Sequence, residues 1–397
     1  MIQLILKISK KVVLTCILLG VILGCKQKEM PNDKTTIKFS FDNQNSTYED
    51  VFESTEIIQL ETNKNCLVSE ISQMEICEDK IYILDWRLNA LYLFNSKGKF
   101  MTSIGKVGRG PGEYIRPRYF FVNEKEKLVE VFDASTMKLI CFDLEGNFER
   151  EIKFNNYLRG ISETEYGYLG FCSNKANDGV IEEQKKYIKY IEFDKEGKVI
   201  KYIRGEESID RINISNSYLQ SNLDNNVSFV EPFMPFIYSV VNDHVEIKYK
   251  LDFSGHGPSK SLINRIKKLD YPLNSIEIEF LDELMQNYAS IFHAFFENDS
   301  WVLLSSNFRN TTLLFNKKTK KTFTFSQLLY SVDNWKTFFT PICLSNGFIY
   351  GQVDYRSLKE IIENNRFSNR RNKSLELMLN NMDESDNPLI LKYMINE

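Results

Sequence analysis

Four glycines within eight residues, Gly105, Gly108, Gly110 and Gly112, are the first feature that suggests chemistry. Glycine-rich turns let backbone N–H groups cradle a phosphate, but such a loop must open a helix. Here Pro111, Pro117 and an apolar run stand where that helix would begin, and no Gly-Lys-Ser/Thr is present. The segment therefore reads as a tight connection, with Arg109 and Glu113 at its tip as candidate ligand contacts. The histidines, His244, His256 and His293, fall in a turn, an insertion and the start of a strand-like run, which is a poor arrangement for one shared metal. No Gly-x-Ser-x-Gly, HExxH or CxxC pattern occurs. Asp85, Asp133 and Asp143 each close a strand-like run, where a carboxylate is suited to starting a turn. No residue is assigned a catalytic or metal-ligating role on these patterns.

The remaining chemistry depends on what positions it. Apolar residues make up 43% and charged residues 26%, which excludes a disordered chain and a multi-span membrane protein. With 29 Phe and 20 Tyr against 18 Gly and 9 Pro, side chains suited to pleated, half-buried surfaces dominate, so strands should too. The net charge of −4 without a basic block argues against a nucleic-acid partner. Beyond Cys25, the cysteines Cys66, Cys77, Cys141, Cys172 and Cys343 are odd in number and set in apolar runs, as small buried hydrophobes are. A Cys66–Cys77 bridge stays open.

The chain repeats itself. Residues 91–100, 139–148 and 189–199 each read as an apolar strand, an Asn or Asp, two intervening residues, a glycine and another apolar strand. In each hairpin the Asx starts the turn and the glycine takes the positive-φ position. Gly98, Gly146 and Gly197 are spaced 48 and 51 residues apart. A further strand pair precedes the first two hairpins, at 71–77 with 80–85 and at 118–122 with 127–132. Later units are degraded: 227–233, 236–241 and 245–251; then 293–296, 301–305, 311–315 and 322–325; then 338–344, 348–353 and 389–395. Helix-like insertions interrupt them at 255–289, with a helix expected near 278–288, and at 355–388, with one near 374–382. Four strands per unit of about 45 residues is the pattern of a propeller blade. The fold class is therefore all-β, a six-bladed β-propeller of four-stranded antiparallel blades. The last blade lacks a strand, and residues 56–60 are expected to supply it and close the ring.

In such a ring, loops joining second to third strands share one rim with the blade-to-blade loops. That rim collects Trp86, Arg87, Arg109, Glu113, Arg159, Arg211, Phe233, Met234, Phe308, Arg309 and Trp335. Exposed Trp, Phe and Arg are the side chains enriched at binding hot spots. Trp86, Arg87, Arg109, Glu113, Arg159, Phe308, Arg309 and Trp335 form the candidate ligand-binding set. The competing reading packs Trp86 and Trp335 between blades.

Residues 1–24 hold Lys7, Lys10 and Lys11, then an apolar run from Val12 to Leu23, ending at Gly24-Cys25. A basic start and a short apolar core describe a secretory signal rather than a span, which needs about 20 apolar residues. Ile22-Leu23-Gly24-Cys25 resembles the lipobox of bacterial lipoproteins, which implies acylation of Cys25. Lys26 after the cysteine, in place of Asp, implies by the same resemblance an outer-membrane destination, with the periplasmic or surface side open. The expected layout is a signal peptide at 1–24, a lipid-anchored tether at 25–50 and the propeller at 51–397.

Residues 57–62, Lys80-Ile81-Tyr82-Ile83-Leu84-Asp85, the loop 105–114 and Asp386-Asn387-Pro388-Leu389-Ile390-Leu391 together resemble the six-bladed, NHL-like propeller lipoproteins of Bacteroidota. That resemblance implies fold and compartment and brings no agreed activity with it. The function expected is a binding or scaffold module presenting its rim or channel mouth to a protein, peptide or glycan. The alternative is a metal-assisted, lactonase-like hydrolase or lyase using channel carboxylates with His293. No cofactor is expected, with a channel calcium or magnesium ion kept open under that alternative.

Overall fold

The computed structural model describes residues 35–41, 46, 48–172, 188–204, 219–221, 227–231, 233–241, 244–266, 279–280, 283–284, 287–289, 292–306, 308–326, 340–365 and 373–396. They form six antiparallel four-stranded blades, each running outward from the ring centre. Blade one is Gln73–Cys77, Lys80–Asp85, Ala90–Asn95 and Phe100–Ile104. Blade two is Pro117–Asn123, Leu128–Asp133, Lys138–Asp143 and Phe148–Lys153; blade three is Leu158–Thr164, Gly167–Cys172, Ile188–Asp194 and Val199–Arg204. Blade four is Leu219–Ser221, Val227–Val230, Phe236–Val241 and His244–Asp252; blade five is Phe292–Glu297, Trp301–Ser306, Thr311–Asn316 and Thr322–Ser326. Blade six takes Pro341–Ser345, Phe348–Val353 and Leu389–Ile395 from the end of the chain and Phe52–Gln59 from its beginning. The first strands of successive blades are neighbours from one through six and back to one, so they enclose a central channel.

The expected closure is present: Phe52–Gln59 runs antiparallel to Leu389–Ile395, with Ile57 opposite Leu391. The ring therefore has no first or last blade that can peel away. Each second strand lies between two neighbouring blades, which is why Leu128–Asp133, Gly167–Cys172 and Trp301–Ser306 are buried along their whole length. Alternate residues serve alternate seams. Ile81 and Ile83 pack toward blade six, while Tyr82 and Leu84 pack toward blade two. The other seams hold comparable apolar clusters.

The hairpin glycines have a second task besides their turns. Gly98, Gly146 and Gly197 all have positive φ, and each rests on the outer strand of the preceding blade. A Cβ on Gly98 would stand 2.2 Å from the Gln59 carbonyl oxygen; on Gly146 it would meet Ile104, and on Gly197 Ile152. Asn95, Asp143 and Asp194 each accept two backbone N–H groups of their own turn. Blade five keeps the Asx as Asn316, but its turn is one residue longer and Lys320, at φ 61°, takes the positive-φ place that glycine takes in those three hairpins. That substitution is why the repeat fades there.

One expectation needs correction, and one open question is closed. The segment assigned to a free tether, 25–50, is in part built into the ring. Thr36–Lys38 adds a fifth, parallel strand to the outer edge of blade four. Phe39 and Phe41 stack on each other and pack with Phe253, Phe292 and Phe308 in the seam between blades four and five. The Cys66–Cys77 bridge does not form: Cys66, Cys77, Cys141, Cys172 and Cys343 are all free and buried. Within the insertions, Lys260–Ile266, Tyr355–Asn365 and Lys373–Asn380 are helical, and Leu358, Ile362 and Met382 extend the seam between blades five and six. Of the helix expected near 278–288, the described residues 279–280, 283–284 and 287 are helical. No described helix is long and apolar enough to cross a membrane.

Candidate functional site: the channel mouth

Two buried aspartates show which loops share a rim. Asp85 closes the second strand of blade one and is fully buried. One oxygen accepts from the N–H groups of Arg87 and Leu88, in its own turn. The other accepts from Ser69 N and Oγ and from Glu70 N, in the loop arriving from blade six. Asp133 repeats this in blade two, joining Ser135 and Thr136 to Ile115 and Arg116. Burial alone would raise the Asp133 pKa, but these donors outweigh it and hold the carboxyl below its usual range. Each aspartate thus fastens a second-to-third-strand turn to a blade-to-blade loop.

At this same end the innermost strands begin, and four of them begin with a β-bulge. In blade two, Tyr119 pairs with Phe132 and Pro117 with Asp133, leaving Arg118 as the extra residue. In blade three the extra residue is Arg159, in blade five His293 and in blade six Ile342. A bulge takes a side chain out of the regular alternation and re-aims it. Here the alternation serves the seams, and the exposure pattern shows the departure. Pro117, Leu158, Phe292 and Pro341 are buried, while the bulged residue after each is partly exposed. Arg118, Arg159 and His293 therefore stand around the mouth of the channel, whereas Ile342 packs against the seam between blades six and one.

Arg118 is held in place. Its guanidinium lies 5.1 Å from the centre of the Trp86 ring, and its carbonyl accepts from the Trp86 indole N–H at 2.9 Å. Trp86 also meets Tyr119 edge-on across the seam between blades one and two. Burial and the neighbouring Arg116 charge both lower the Arg118 pKa, so two cations share this corner.

Deeper in the channel the character becomes acidic. Gln73 and Glu75, on the first strand of blade one, cover the open edge of the first strand of blade two. The Gln73 side chain exchanges hydrogen bonds with the backbone of Phe120, and Glu75 accepts from Val122 N–H at 2.8 Å. Gln352 does the same for Ile71. Glu163, on blade three, accepts from the Asn123 amide. Burial is the main reason that the Glu75 carboxyl is pushed up to about 7. For Glu163, also raised to about 7, the Glu130 and Glu75 charges add to burial. Both keep part of their surface accessible, so the space they face is an enclosed one. Among the described residues no three His, Cys, Asp or Glu side chains come together as a metal cluster.

The residues singled out by sequence fare differently. Trp86 is half buried and packs between blades, and Arg159 lines the channel mouth from within a strand rather than from a loop. Arg87 is exposed on the rim and paired with Glu70 at 2.8 Å. Arg109 is exposed at the glycine-rich tip, whereas Glu113 turns back to accept from Gly110 N–H and to meet Lys106. That loop is a small parallel ladder, Lys106–Val107 with Glu113–Tyr114. Phe308 is not an exposed anchor: it is buried against Phe41 and His256, because the N-terminal segment covers it. Phe233 is likewise fully buried. Arg309 is exposed and donates to the Phe41 carbonyl at 3.4 Å. Cys25, Arg211 and Trp335 lie outside the described residues. Arg118, Glu75 and Glu163 were missed, since a bulge has no local sequence signature and period-two acids read as solvent-facing.

The fold and this mouth define a six-bladed β-propeller with a polar channel. The chain belongs to the family described as Domain of unknown function (DUF4934), whose model matches residues 34–394. Among solved structures it is similar to a protein of Bacteroides fragilis NCTC 9343 that carries an exported-protein name. The two are 20% identical with a TM-score of 0.68, over 91% of this chain and 99% of that one. It is also similar to a DUF4221 family member from Bacteroides vulgatus ATCC 8482, at 11% identity and TM-score 0.54, over 87% and 97%. No curated protein matches the chain.

Proposed function

We propose that this propeller is a binding module of the cell envelope, held to the outer membrane by lipid on Cys25, whose ligand docks on the loop face over the channel mouth. The ligand is a protein segment, peptide or glycan. The observation that carries this reading is the bulge that recurs at one end of four inner strands, which in blades two, three and five presents Arg118, Arg159 and His293 at one opening. A fold with no use for that opening gains nothing from breaking its own ladder four times at one end. Exposed apolar side chains add to the same face: Leu67 is 47% exposed, Leu88 44% and Tyr157 46%. The test places a photo-crosslinking amino acid at Leu88, at Tyr157 or at Tyr166, which is exposed on the opposite face. Irradiation of intact cells should give adducts from positions 88 and 157 and not from 166. Adducts from 166 alone, or equally from both faces, would overturn the reading.

A further inference from the structure

We infer that the group recognised at the channel mouth is an oxyanion, a carboxylate or a phosphate. This rests on the binding reading above and names the chemistry of its ligand. Three of the four bulged positions carry nitrogen donors, Arg118, Arg159 and His293. The first strands of blades two and three are neighbours, so Arg118 and Arg159 rise side by side, and blade five brings His293 from across the ring. Arg116, on the loop just before Arg118, adds a third arginine to this end.

The arrangement costs something without a ligand. Arg116 and Arg118 repel each other, and Arg118 is partly desolvated beneath the loops. The Trp86 ring and the backbone bond to it hold Arg118 upright in spite of this. An oxyanion relieves the repulsion and receives charge-assisted hydrogen bonds from guanidinium groups whose planar fork fits it. Of the acids, Glu75 and Glu163 lie farther down, while at this end Asp85 and Asp133 are taken up by the backbone donors of their loops and Glu70 by Arg87. Glu163 is four residues beyond Arg159 on one strand, about 13 Å at roughly 3.3 Å per residue. Glu75 and Glu163 are too far in to pair with the arginines of the mouth, and they turn away an anion that travels deeper. The opening therefore selects an anionic group and stops it at the entrance.

Isothermal titration calorimetry on the purified chain lacking residues 1–24, at an ionic strength of about 20 mM to limit screening, would use citrate, pyrophosphate and neutral raffinose as probes. Citrate or pyrophosphate should bind and raffinose should not, and the tighter anion separates carboxylate from phosphate recognition. Arg118→Gln and Arg159→Gln should each weaken that anion at least tenfold, the size expected for one lost charge-assisted bond. Lys198→Gln, on the opposite face, should change it less than twofold. Circular dichroism establishes that each variant is folded, and Arg159→Gln leaves the Trp86 contact intact should Arg118→Gln disturb it. Binding that neither arginine variant weakens would overturn the inference, as would failure of both anions at millimolar concentration. If the crosslinks from Leu88 and Tyr157 still form in that case, the binding reading stands and only the ligand class falls.

Discussion

Replacing Glu163 by glutamine should make the protein more stable, and only above mildly acidic pH. Burial and the Glu130 and Glu75 charges raise the Glu163 carboxyl from 4.5 to about 7. Below pH 4.5 the group is protonated in both folded and unfolded chains and contributes no pH dependence. Between 4.5 and 7 the unfolded chain releases the proton while the folded one keeps it, so stability falls as pH rises. Above 7 the loss is complete and constant. A shift of that size corresponds to at most about 3 kcal/mol, and partial solvent access in the channel brings it nearer about 2 kcal/mol. Glutamine has the same shape, still accepts from the Asn123 amide and never carries the charge. With an unfolding entropy of about 2.1 cal/mol/K per residue over the propeller, 2 kcal/mol becomes a gain of about 3 °C in Tm. Thermal melts followed by circular dichroism from pH 4.5 to 8.5 would show the two proteins together at the acid end. They should then diverge through pH 5–7 and run parallel beyond it. A gap that is constant across this range, or a glutamine variant that melts lower at pH 8, would refute the placement of Glu163 in an enclosed acidic channel.

Four further outcomes are expected. Gly98→Ala should cost about 3 kcal/mol in urea denaturation, because its Cβ would strike the Gln59 carbonyl at a φ of +79°. Gly347→Ala, at φ +78° with open space around it, should cost only about 1 kcal/mol. Phe39→Ala should cost about 3–5 kcal/mol in the same assay, since Phe39 is fully buried among Phe41, Phe253 and Phe292; a residue of a free tether would stay within about 0.5 kcal/mol. Cys25→Ser should abolish incorporation of an alkynyl fatty acid and move the protein from the membrane fraction to the soluble one.

What could be read from the chain in advance was whatever is decided within a few residues. The hairpins at Gly98, Gly146 and Gly197 were legible because an Asx and a glycine at fixed spacing have one low-energy turn. Their recurrence revealed the blades, and the unpaired run at 56–60 then had only one place to go. Strand ends were less exact: the first strand of blade one begins at Gln73 rather than 71, and that of blade six at Pro341 rather than 338. Thr36–Lys38 was illegible for a different reason. Three residues carry no periodicity, and their partner, Lys250–Asp252, lies more than two hundred residues away. The burial of Phe308 followed from the same oversight, because the side chain that covers it is Phe41.

The bulges at the channel mouth, and Arg118 with them, were out of reach for a deeper reason. Along an inner strand, side-chain identity reports which seam a residue faces only while the two-residue alternation holds. Arg159 and His293 sit between buried neighbours, Leu158 with Gly160 and Phe292 with Ala294. A regular strand would have driven each polar side chain into an apolar seam, where a polar group without hydrogen-bond partners is destabilising. The bulge removes that conflict by adding one residue to the ladder at that point. It leaves the seam contacts on either side in register. The channel mouth can therefore change its side chains without disturbing the six seams that hold the ring together. Ile342 occupies the equivalent bulge in blade six with no charge at all, and its seam is as well packed as the others. Ligand choice and ring stability are thus separated at the bulges, and substitutions at Arg118, Arg159 and His293 should alter binding far more than they alter melting.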